Sequence, residues 1–121
     1  MMQECMEMGG VYVTRHGYDR MKERMGLNKN AARRMSQRAF ENGLSIDSVS
    51  GSLLSYMALK DELYPENNII KIYGEAVYCY NVTWIGQDES TSYVALVTVY
   101  PLPKKFNNQA LGHQRRLKKQ A

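Results

Sequence analysis

Nowhere in these 121 residues does an apolar run approach the roughly 18–20 residues that a membrane-spanning helix needs. Cysteine is scarce as well. Cys5 and Cys79 alone cannot make a disulfide framework, and Cys79, inside AVYCYN, reads as a small buried hydrophobe. The two histidines, His16 and His113, show no paired ligand spacing, so neither a metal nor a cofactor is expected. Walker loops, dinucleotide fingerprints and nucleophile elbows are all missing. The opening MMQECMEMGG has two glutamates, no lysine or arginine and no apolar core, unlike a secretory leader. The expectation is a cytoplasmic protein without membrane contact, residues 1–10 forming a flexible N-terminus.

The charge present is unevenly placed. Residues 15–42 hold eight basic and three acidic side chains, a balance of +5; residues 43–89 hold two and seven, a balance of −5. From residue 90 onward there are six basic residues and no acidic one. A basic helical region and a basic tail are what a polyanion-binding surface requires. The candidate nucleic-acid contacts are Arg33, Arg34 and Arg38 in the first block, with Lys104, Lys105, Arg115, Arg116, Lys118 and Lys119 in the tail.

VYVT at 11–14 is rich in β-branched residues and reads as a short strand, with Thr14 placed to cap a following helix. That helix spans about 15–25 and is closed by Gly26; Gly17 weakens it, since glycine costs about 1 kcal/mol against alanine there. Asn28 or Asn30 caps a second helix, AARRMSQRAFEN, which ends at Gly43 and carries Ala32, Met35 and Ala39 as an apolar stripe. GSLLSYMALKDELY is a third helical segment, broken at Pro65. NIIKIYG and EAVYCYN form a hairpin around Tyr73-Gly74-Glu75, WIGQDESTS is a polar connection, and YVALVTVYPLP is the strongest strand. The order predicts an α+β fold, with N-terminal helices packed on a C-terminal antiparallel sheet of three or four strands. Residues 11–103 form the single domain and 104–121 a basic C-terminal tail, flexible or partly helical.

One row invites chemistry. His16, Arg20 and Arg24 follow at four-residue spacing and share a helix face. On the last strand Thr98 and Tyr100 share a face, with Val97 and Val99 pointing the other way. Should the first helix cross the Thr98 face, the set suits RNA cleavage without metal: His16 as general base or acid, Arg20 and Arg24 on the phosphorane, Thr98 and Tyr100 on phosphate and proton.

Carrying TRHGYDRMKERMG on its first helix and ALVTVYPLP on its last strand, the chain resembles the barnase–EndoU–colicin–RelE assemblage of small metal-independent ribonucleases. The resemblance covers about residues 13–103. It implies N-terminal helices on a curved antiparallel sheet, catalytic positions at His16, Arg20 or Arg24, Thr98 and Tyr100, and RNA as substrate, cleaved by 2′-hydroxyl attack on the adjacent phosphate. An antitoxin or other protein partner is implied as well. Two further readings stay open: a non-catalytic phage or mobile-element protein that grips nucleic acid or a nucleic-acid enzyme, and a small interaction domain whose acidic segment docks a basic partner.

Overall fold

Capping chemistry sets the first two helices. The computed structural model describes residues 11–63, 69–85 and 91–120. A short strand, β1 (Val11–Val13), passes directly into helix α1 (Arg15–Met25). Thr14 caps α1, its hydroxyl accepting from the Gly17 amide, and Gly26 ends it in the left-handed conformation at φ 68° that suits glycine. Asn28 caps α2 (Lys29–Asn42) by accepting from the Ala31 amide. After a 3-10 turn at Ile46–Ser48 come α3 (Gly51–Leu63), β2 (Ile69–Tyr73), β3 (Ala76–Ile85) and β4 (Thr91–Pro101), then a 3-10 turn at Lys104–Phe106 and α4 (Asn107–Gln120).

The fold is α+β, with four helices and a four-stranded sheet among the described residues. Strand order is β1-β4-β3-β2. The β2–β3 and β3–β4 pairs are antiparallel, but β1 runs parallel to β4, with Val11, Tyr12 and Val13 opposite Val94, Ala95 and Leu96. The sheet is therefore mixed rather than antiparallel throughout. The reason is topological: β1 precedes the helices and returns to the sheet at its far edge, next to the last strand.

Strand alternation sorts the core into two layers. Tyr78, Tyr80, Leu96 and Val99 face one way and pack with Met21 of α1 and with Ala32 and Ala39 of α2. Ile70, Ile72, Val77 and Cys79 face the other way and pack with Leu53 and Met57 of α3 and with Phe106 and Ala110. Helices thus cover both faces. Between Cys79–Tyr80 and Leu96–Thr98 the register shifts, leaving Val97 as an extra, bulged residue. Simple alternation pairs Val97 with Val99; in the structure the bulge turns Val97 toward the α3–α4 layer.

Residues 104–120 are not a detached tail. Phe106 and Ala110 are buried, Leu117 packs beside them, and the Phe106 ring sits 4.8 Å from that of Tyr56. His113 is buried too: Nδ1–H donates to the Gln109 carbonyl at 2.7 Å, and Nε2 accepts from the Ser50 amide at 3.2 Å. That bond ties α4 to the residue just before α3. Apolar burial outweighs the charges that make this stretch look solvated. The N-terminus at 1–10, Cys5 and the core of the polar connection, residues 86–90, lie outside the described residues.

Candidate nucleic-acid interface

Helix α1 lies on the face of the sheet that carries Leu96 and Val99. Thr14 fixes its start there, with its amide and hydroxyl both donating to the Leu96 carbonyl, at 3.1 and 2.9 Å. Gly17 follows at close range, because a Cβ on it would stand 2.5 Å from the same oxygen. Met21, fully buried, completes the contact.

This docking does not bring the five proposed catalytic residues into one site. His16 and Arg24 are exposed on α1, and Arg20 is held by Glu23 at 2.8 Å. Thr98 is opposite Cys79 and Tyr100 opposite Val77, so both side chains face the α3–α4 layer. The Tyr100 ring packs in that layer, with the Lys60 ammonium 5.2 Å from its centroid. Arg24 and Tyr100 do both border a cleft of about 540 Å³ at the hairpin end of the sheet, together with Met25, Met35, Tyr73 and Tyr78. Its walls are mainly apolar, and no histidine reaches it. The expected convergence is thus seen only in part: Arg24 and Tyr100 share this cleft, whereas His16, Arg20 and Thr98 do not border it. Burial of Met21 chooses the Leu96–Val99 face for α1, and the adjacent hydroxyl-bearing residues point away from it.

The basic residues divide in the same way. Arg33, Arg34 and Arg38 are exposed on α2, over one face. Lys104, Lys105, Arg115 and Arg116 are exposed on the α4 side, over the other. Lys118 and Lys119 belong to α4, but their side chains lie outside the described residues.

What the fold does bring together is a different set. A cleft of about 510 Å³ opens where β1, the start of α1 and the start of α2 meet, bordered by Tyr12, Val13, Arg15, Tyr18, Asp19, Lys29 and Arg33. Arg15 and Lys29 are the first residues of their helices, and Arg33 lies one turn after Lys29. The Lys29 ammonium stands 5.9 Å from the Tyr18 ring centroid, and Arg33 also donates to the Asn30 side chain. The Tyr12 ring contacts Tyr93 edge-on at 6.0 Å. Three cations and one carboxylate give the cleft an excess of positive charge.

Arg33 belongs to the set read from the sequence; Arg15, Lys29, Tyr18 and Asp19 do not. A signal for the first two was present. Neither α1 nor α2 has an acidic residue in its first turn, and each begins with a cation, where the helix dipole favours an anion. Such a start costs a little stability and raises the local potential that an anionic ligand meets. Among the described residues no group of three or more His, Cys, Asp or Glu side chains is placed to hold a metal ion, and no helix is long and apolar enough to cross a membrane. No family model, curated protein or solved structure matches the chain.

Proposed function

We propose that this protein binds nucleic acid, RNA in the first instance, as a non-catalytic module, and that the cleft between β1, α1 and α2 is its main contact. The observation that carries the reading is the meeting of Arg15, Lys29 and Arg33 in one concavity beside an aromatic ring. Guanidinium and ammonium groups in that arrangement complement phosphates without any demand on base sequence. Arg34 and Arg38, exposed on the same helix as Arg33, extend the positive surface beyond the cleft. Cleavage by the five residues of the resemblance is not part of the proposal, since a base and an acid on opposite sides of a sheet cannot serve one phosphate.

The test is fluorescence anisotropy with a short labelled single-stranded RNA, titrated at several salt concentrations. Three phosphate contacts predict a log–log salt slope of about −2, and each of Arg15→Ala, Lys29→Ala and Arg33→Ala reduces it by about 0.7. Binding that is absent, or that ignores salt, overturns the proposal.

A further inference from the structure

Asp19 is out of place in a site for phosphate alone. It borders the cleft beside three cations, yet among the described residues it makes no ion pair. A carboxylate there repels every phosphate oxygen that the cations attract. It is favourable only for a ligand that also brings hydrogen-bond donors. Tyr18 adds a third requirement, because its half-buried ring also borders the cleft and offers a ligand an apolar surface.

A nucleotide with a donor-bearing base meets all three conditions at once. Its phosphate takes the cations, its base plane lies along the tyrosine ring, and its base edge donates to the carboxylate. The bases differ in what that edge offers. A carboxylate has two acceptor oxygens side by side and matches two parallel donors best. Guanine presents such a pair, the N1–H and the exocyclic amine. Adenine and cytosine place one amine next to a ring nitrogen that only accepts. Uracil has a single N–H between two carbonyls.

We propose that the cleft selects an unpaired guanine in single-stranded RNA, with Asp19 as the residue that determines the base. The donors in question are the ones guanine uses in a Watson–Crick pair, so the base must be unpaired to offer them. This inference rests on the nucleic-acid reading above and adds to it a sequence preference that positive charge alone does not create.

Asp19 is exposed on α1, so its replacement tests recognition rather than folding. Anisotropy titrations compare an oligouridine carrying one central guanosine, the same strand with inosine there, and oligouridine itself. For the unaltered protein the guanosine strand binds about tenfold more tightly than oligouridine, the scale of one good bidentate base contact. Inosine, which lacks the exocyclic amine, falls between them. In Asp19→Asn the guanosine advantage drops to about one, while affinity for oligouridine is kept or rises as a repulsive charge is removed. Annealing a complementary strand across the guanosine abolishes the preference.

Equal affinity for the guanosine and uridine strands, with salt-dependent binding intact, overturns the guanine assignment and leaves the nucleic-acid reading standing. A guanosine advantage that survives Asp19→Asn overturns the role of Asp19. Absence of salt-dependent binding to all three strands overturns both proposals together.

Discussion

At the residue scale, Gly17 shows two opposed effects on one position. Alanine at an ordinary helix interior is about 1 kcal/mol better than glycine. Here its Cβ would meet the Leu96 carbonyl oxygen at 2.5 Å, and that oxygen is main chain already bound to Thr14. Forcing extra volume into such a contact costs about 1–3 kcal/mol, so the close approach wins. Gly17→Ala is expected to lower stability by about 1–2 kcal/mol in urea unfolding; a rise in the urea midpoint would show that α1 is free to lift from β4. The buried tyrosines give a second prediction. Burial, with the neighbouring Tyr73 as a smaller cause, pushes the Tyr78 hydroxyl up to about 12, and burial pushes Tyr80 up as well, its hydroxyl donating to the Ser36 carbonyl at 2.8 Å. An unfolded tyrosine loses its proton near pH ~10. Between about pH 10 and 12 the unfolded state therefore holds fewer protons than the folded one, and stability falls as pH rises, by up to about 1.4 kcal/mol per unit for each such tyrosine. The Tyr78 contribution is whole below pH ~10 and is lost as pH climbs through the folded value of about 12. Lys71 works in the opposite direction, because burial lowers its pKa and discharge at high pH relieves that cost. Urea unfolding at a series of alkaline pH values measures the net slope, and Tyr78→Phe is expected to reduce it by about one proton; a slope unchanged in that variant would mean that the Tyr78 phenol titrates alike in both states.

Among the elements, α4 is where apolar burial prevails over composition. Phe106, Ala110 and Leu117 recur at near-helical spacing, but KK, RR and KK surround them and give the stretch the look of a solvated tail. Phe106→Ala is expected to cost about 3–5 kcal/mol, because it removes a buried ring packed against Tyr56. Arg115→Ala, at an exposed position on the same helix, is expected to stay within about 0.5 kcal/mol. Comparable urea midpoints for the two variants would mean that α4 is not part of the cooperative unit. Much of the local structure was legible beforehand: Thr14 and Asn28 as caps, Gly26 and Gly43 as stops, and the turn at Tyr73-Gly74-Glu75 are all signals within a few residues of the feature they set. The partner of β1 was not, since its pairing with Val94–Leu96 joins segments more than 80 residues apart. Nor was the face that each helix takes. Both faces of β3 are apolar, with Val77 and Cys79 on one and Tyr78 and Tyr80 on the other, so alternation gives no preference. The proposed catalytic set depends on that choice, which no local signal in the chain makes.

For the whole molecule, the sheet acts as a partition between two basic surfaces. The α1–α2 layer carries Arg15, Lys29, Arg33, Arg34 and Arg38, and the α4 side carries Lys104, Lys105, Arg115 and Arg116. Helices pack about 10 Å from whatever lies beneath them, so cations on opposite layers stand roughly 20 Å apart. That is about twice the Debye length at physiological ionic strength, so the two surfaces are electrostatically separate. A short single strand that occupies the cleft is then insensitive to the far layer. The double variant Arg115→Ala/Arg116→Ala is expected to leave its affinity within about twofold, whereas Arg15→Ala/Arg33→Ala is expected to remove two of the proposed phosphate contacts and flatten the salt slope by about 1.4. Lengthening the RNA changes the expectation in a defined way. Once the strand is long enough to pass around the edge of the sheet, the α4 variant begins to weaken binding and the salt slope steepens. If Arg115→Ala/Arg116→Ala weakens a short strand as much as the cleft variant does, α4 and not the cleft is the primary contact, and the charge on α1 and α2 then serves only to hold a potential around the molecule.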